Sequence, residues 1–198
     1  MNSFLVTPAV VIETVVSTLD QTGEPNFAAM GVLWGDEVIT IRPFTNTRTY
    51  KNLTQSGEAV VNVTDNVLIF AKSALSRERF ESLPARHVTG LILKDTCFWR
   101  EVRVEQVRTP TPAEGAPVRA DIVTRVVGGG EVRQFAGLCR AKHAVVEASI
   151  LASRLRWISG EEIRREMERL DILVEKTGGS EERRAMDFIR ANIAGKLP

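Results

Sequence analysis

The sequence predicts a mainly β, barrel-type domain followed by a helical C-terminal third. Three observations carry that expectation. Short runs rich in Val, Ile and Thr alternate with Gly, Asp and Pro turn chemistry through the first half of the chain. Two long stretches, 97–107 and 118–127, look like a pair of antiparallel strands able to close a barrel. After Ala141 the apolar period changes from strand-like to helical. A chain of 198 residues accommodates one such core with an appendage, divided here as 1–138 and 139–198.

The elements follow in order. The first twenty residues read as a strand, strongest over 10–19, that ends in the Asp20-Gln21-Thr22-Gly23-Glu24-Pro25 turn. Residues 27–33 and 38–44 continue a meander around the Gly35-Asp36 turn. A short helix is expected over 47–56, capped by Asn46 or Thr47 and stopped by Gly57, with a strand at 58–64 after it. Residues 67–75 suit another short helix. Pro84, Gly90 and mixed charge make 76–93 a long ordered loop with a piece of helix. Gly128, Gly129 and Gly130 permit a hairpin, after which 131–138 returns as a strand. No Lys-Ser/Thr follows them, so they do not read as a phosphate loop.

Ala141, Ala144, Val145, Ala148, Leu151, Ala152 and Leu155 share one helical face. Ser159 and Glu162 form a capping-box pattern for a second helix, and Gly178-Gly179-Ser180 separates it from a third. Sparse apolar positions in these last helices predict a peripheral hairpin or a partner-contacting arm.

Charged residues make up 26% of the chain and nearly cancel to a formal +1, which argues against capture of nucleic acid or an anionic membrane. Glu13 and Asp20 interrupt the apolar start, and no other stretch reaches the roughly 18 apolar residues of a membrane span. Cys97 and Cys139 are expected to be free thiols in a reduced cytoplasm. Cys139 and His143 have helical metal spacing, but only Cys97 and His87 could join them, so no metal is expected. No Gly-x-Ser-x-Gly elbow supports a hydrolase.

The chemistry concentrates in 41–53, where a strand end runs into a helix start. Backbone N–H groups and the helix dipole attract anions there, and Arg42, Thr47 and Thr49 add a guanidinium and two hydroxyls. That chemistry suits a phosphate dianion, and it equally suits an ordinary capped surface helix.

The order Asn26-Phe27-Ala28-Ala29-Met30-Gly31, Arg42-Pro43-Phe44, Thr47-Arg48-Thr49-Tyr50-Lys51-Asn52-Leu53 and Gly57-Glu58-Ala59-Val60-Val61-Asn62-Val63 resembles the FMN-binding split-barrel superfamily. The tract Arg140-Ala141-Lys142-His143-Ala144-Val145-Val146-Glu147-Ala148 narrows the resemblance to a branch catalogued as a family of unknown function. The resemblance implies a Greek-key split β-barrel with a C-terminal helical extension, a homodimer and FMN near the subunit interface. It implies Arg42, Thr47 and Thr49 for the phosphate, with Tyr50 nearby, and Asn26, Ala29, Met30, Asn62 and Val63 around the isoalloxazine. Flavin-reductase relatives carry Ala-Pro-Phe/Tyr-Ser where this chain has Phe27-Ala28-Ala29-Met30, which weakens the case for reductase activity more than that for FMN.

Lys142 is a further anion-contact candidate, and His143 with Glu147 one turn on is either a proton-handling pair or a surface i,i+4 pair. The expected function is an FMN flavoprotein, an oxidoreductase for an unknown small molecule with a suggested link to pterin one-carbon metabolism. The alternatives are a non-catalytic flavin-binding module and a dimeric interaction protein.

Overall fold

The structure, a computed structural model, describes residues 10–111 and 118–196. β1 (Val10–Leu19), β2 (Pro25–Trp34) and β3 (Val38–Ile41) form the expected meander. The part of the apolar start before Val10 lies outside the described residues. Asp20 Oδ1 shapes the first turn by accepting from the N–H groups of Thr22 and Glu24. α1 (Arg48–Ser56) begins at Thr47, whose hydroxyl accepts from Tyr50 N–H, and ends at Gly57 with φ 71°. β4 (Glu58–Val63), α2 (Val67–Leu75) and the short β5 (Ser82–Pro84) and β6 (Leu91–Leu93) follow. Then come β7 (Phe98–Arg108), β8 (Asp121–Glu131), α3 (Arg140–Ser153), α4 (Gly160–Thr177) and α5 (Ser180–Ile193).

Six antiparallel strands close a barrel in the order β1-β2-β3-β8-β7-β4, with β4 pairing back onto β1. Strand alternation sends Val16, Val32, Ile41, Val61, Val102 and Ile122 inward. α1 stops one end of the barrel, with Leu53 in the same apolar cluster and Asn52 Nδ2 donating to Thr18 Oγ1 at 3.0 Å. Val15 and Phe27 point outward and are covered by Phe70 of α2 and Leu93 of β6.

Three local expectations change. Gly128, Gly129 and Gly130 do not turn the chain; they continue β8 opposite Glu101, Arg100 and Trp99. Their role is space, because a Cβ at Gly128 would lie 2.3 Å from the His87 ring and one at Gly130 would lie 2.4 Å from the Trp99 indole. Residues 132–139 then run to α3 without forming a strand, held by Arg133, which pairs with both Asp65 and Asp95. The 76–93 segment contains β5 and β6 rather than a helix. Glu101, 1% exposed, organises it by accepting from the N–H groups of Arg86, His87 and Val88 and from the Trp99 indole N–H.

The last helices are more than a peripheral hairpin. Ile163, Met167, Leu170 and Val174 of α4 and Ala185, Met186 and Ile189 of α5 bury against Ala144, Val145 and Ala148 of α3 and Ala71 of α2. Few apolar positions suffice because four helices share one core. Lys142 ties the assembly together, donating to the Asp65 carbonyl at 2.6 Å and pairing with Glu181 and Glu182. Among the described residues no helix is long and apolar enough to cross a membrane.

Two predictions follow from these polar anchors. Glu101→Gln keeps the volume but halves the acceptor capacity beneath three amides, and it should lower unfolding stability by about 2 kcal/mol in a urea titration. For Asp65, burial opposes ionisation, but the Arg133 hydrogen bond, the Ala136 N–H and the nearby cations outweigh it and hold its pKa below the ordinary 3.8. The folded state therefore binds fewer protons than the unfolded one in acid. The stabilisation is complete above the unfolded value and lost as pH falls through the folded one. Melting temperature should drop below about pH 4, and Arg133→Gln should flatten that acid limb.

Candidate functional site

The start of α1 is built for an anion in several respects. The N–H groups of Arg48 and Thr49 meet no partner among the described residues, and the first turn holds no acidic residue. Arg48 and Lys51 face a polar cleft of about 270 Å³ that also takes in Asn26 and Asn52, opposite Asp20 and Glu24 of the β1–β2 turn. Neither cation makes an ion pair among the described residues, whereas Glu24 is paired with Arg79.

The expected residues fall into three groups. Asn26 and Thr49 come together, with Asn26 Nδ2 donating to Thr49 Oγ1 at 3.1 Å, but Thr49 is 2% exposed and its hydroxyl faces the barrel end. Thr47 is occupied as the helix cap, accepting from Tyr50 N–H and donating to the Phe44 carbonyl at 2.7 Å. Tyr50 packs on the barrel core with its hydroxyl 3.5 Å from Thr109 Oγ1.

Arg42 and Ala29 occupy the outer face of the sheet. Arg42 pairs with Asp121 at 2.9 Å, and Ala29 pairs with Val15 in the β1–β2 ladder. Two residues along β2, Gly31 pairs with Glu13, and the absent side chain there leaves the Glu13 carboxylate lying across bare backbone. Met30, between them, packs against the barrel interior, and its carbonyl accepts from Thr14 Oγ1. The Val11 side chain shares that space over Gly31, and Ala29 packs in the cluster with Val15 and Phe70.

Asn62, Val63 and Lys142 are engaged elsewhere. Asn62 is fully buried, donating to the Val15 carbonyl at 3.1 Å and accepting from Leu93 N–H at 2.9 Å, so its amide locks β6 onto the barrel. Val63 pairs with Phe98 and accepts from Cys97 N–H. Lys142 belongs to the helical joint described above. His143 is exposed on α3, and Glu147 one turn on lies close enough to Glu13 for repulsion.

Residues missed by sequence reasoning gather on the outer face of the barrel. Arg119 stands across an isolated bridge from Phe44, with its guanidinium carbon 4.4 Å from the ring centroid. Partial desolvation and the charges of Arg154 and Arg42 lower the Arg119 pKa, with Glu13 opposing. Desolvation and Glu147 raise that of Glu13 above the usual carboxylate range, with Arg119 and Arg154 opposing. No sequence motif signals this grouping, because Glu13 and Gly31 meet only through strand register and Phe44 and Arg119 only across that bridge. Among the described residues no group of three His, Cys, Asp or Glu is placed to hold a metal.

Solved structures with this fold include flavoproteins. The chain is similar to an FMN-bound protein of Methanosarcina mazei, at 23% identity and a TM-score of 0.76 over 93% of this chain and 95% of that one. It is also similar to component B of nitrilotriacetate monooxygenase from Bacillus cereus, at 17% identity and a TM-score of 0.53 over 70% and 78% of the two chains. An FMN-binding protein of Thermus thermophilus with bound p-hydroxybenzaldehyde matches at 13% identity and a TM-score of 0.50 over 66% and 77%. The barrel is therefore a split barrel of the FMN-binding type. Residues 12–127 match the family model described as the N-terminal domain of a protein of unknown function, DUF447, and residues 139–191 match the C-terminal model, described as a protein of unknown function, DUF447. The chain belongs to the DUF447 family.

Proposed function

We propose that this protein binds FMN and serves as an oxidoreductase for a small molecule. The observation that carries the proposal is the start of α1, where two backbone N–H groups without a partner among the described residues and the cations Arg48 and Lys51 serve a barrel of the flavin-binding type. Those donors suit a phosphate dianion by charge and by hydrogen-bond capacity. Arg42 and Arg48 hold the phosphate, while Thr49 and Asn26 position the helix from beneath. FMN would supply hydride or single-electron exchange when bound.

His143, exposed on α3 one turn before Glu147, is the candidate for proton handling beside the flavin. The exposed Val10 and Val11, 64% and 56% accessible at the start of β1, support a homodimer in which a second copy covers them. Pterins belong among the electron acceptors to be screened.

Purified protein mixed with FMN and passed through gel filtration should keep the flavin absorbance and elute as a dimer. Protein that cannot be loaded overturns the proposal and favours a dimeric interaction protein, and flavin that stays bound but is reduced by no donor favours a non-catalytic module. Arg42→Ala combined with Arg48→Ala should weaken FMN at least roughly tenfold and leave riboflavin, which lacks the phosphate, unchanged. His143→Ala should keep FMN bound and shift the pH profile of flavin reduction. An identical profile would make His143 a surface residue.

A further inference from the structure

Arg100 stands without a counter-charge at the mouth of the barrel that α1 does not plug. Asn26, near the start of β2, reaches α1, so Trp34, at the end of the same strand, marks the opposite mouth. Strand alternation puts Trp99 and Glu101 on the outer face of β7, under residues 85–88, and turns Arg100 inward with Val102. Trp34 and Val126 pack on the interior cluster at this level, so the space beside Arg100 lies over the core. There Arg100, Val126 and the backbone of Gly128, Gly129 and Gly130 line an open cavity of about 270 Å³.

The guanidinium is held from three sides. Its carbon lies 5.9 Å from the Trp34 ring centroid and 5.5 Å from that of Phe98, and the two rings stand edge to face at 88°. Nη1 donates to the Trp99 carbonyl at 3.0 Å. Gly129 supplies the room, because a Cβ there would lie 3.1 Å from Cδ and Nη1 of Arg100 and 2.6 Å from the Trp99 carbonyl oxygen. The other guanidinium N–H groups meet no acceptor among the described residues. Arg103 and Arg125, further along β7 and β8, do have carboxylate partners.

This arrangement suits a carboxylate. A guanidinium offers a planar fork to two oxygens, and one already fixed by two rings and a carbonyl loses little freedom when the ligand arrives. The rest of the lining is Val126 and glycine backbone, with no acidic side chain to repel an anion. Pockets for drug-sized ligands start at roughly 300 Å³, so this one takes a smaller molecule.

We propose that Arg100 anchors a small carboxylate with a compact apolar body at this mouth of the barrel, the charge on the guanidinium and the apolar part over Val126 and the glycine backbone. The site is separate from the α1 cleft and does not rest on the flavin proposal.

The test titrates the full chain calorimetrically with benzoate, acetate and benzamide. Benzoate should bind saturably and roughly tenfold or more tighter than acetate, which lacks the apolar body, and than benzamide, which lacks the charge. Arg100→Gln should weaken benzoate roughly tenfold or more, with an unchanged circular dichroism spectrum. Arg100→Lys keeps the charge but not the fork; it should weaken benzoate as well, and it decides alone if Arg100→Gln does not fold. Arg184→Gln, an exposed charge removed from α5, should change nothing.

No saturable binding of benzoate, equal binding of benzamide, or unaltered binding by the Arg100 variants overturns the site. So does equal weakening by Arg184→Gln, which would reduce the effect to net charge. Displacement of benzoate by FMN would move the anion to the α1 cleft and overturn the site too. If the protein takes up no FMN but binds benzoate through Arg100, the flavin proposal fails and the barrel-mouth site stands.

Discussion

The outward apolar patch on β1 and β2 governs how the rest of the chain is arranged. Val16 and Val32 fill the barrel, but Val15 and Phe27 point away from it and cannot stay in water without losing roughly 25 cal/mol for each Å² left exposed. α2 and β6 therefore lie over them, and the Asn62 amide pins β6 in place. Once α2 is seated, its other side offers Val67 and Ala71 to α3 and α5, and the helical core grows from there. The cover ends where the outward pattern changes from Val15 and Ala29 to Glu13 and Gly31. Beyond it the Val11 and Glu13 side chains lie over Gly31.

Charge is distributed according to the same logic. At the joint between barrel and helices, Arg133 has two carboxylates and Lys142 has two carboxylates and a carbonyl. These cations have little left to offer a ligand, and truncating either one would leave a buried carboxylate, Asp65 or Glu182, without its ion pair. Elsewhere, Arg48, Lys51, Arg119 and Arg154 lack such partners among the described residues. A formal charge of +1 for the whole chain conceals this division.

Local signals made much of the fold legible. The Thr47 cap, the Gly57 stop, the Ser159 cap and the strand-to-helix change near Arg140 all rest on contacts within a few residues, and each appears where the sequence placed it. Gly128 to Gly130 were misread because their reason lies across the sheet: a turn and a tightly packed strand both select glycine, and only the Trp99 and His87 rings distinguish them. Lys142 was drawn toward an anion by its position in a motif, but its ammonium group is satisfied by residues 39 and 40 positions later. The residues at the start of α1 are consecutive and stand out in the sequence, whereas Phe44 and Arg119 meet only across a bridge between segments far apart in the chain.

α1 has to satisfy two demands, and its faces divide them. Thr49, Asn52 and Leu53 close the barrel end, so changes there alter stability before they alter binding. Arg48, Lys51 and Asn52 line the cleft from the adjoining face, with the unpartnered N–H groups at the same end. The backbone donors are held rigidly by the packed face, so little ordering remains to be done when an anion arrives.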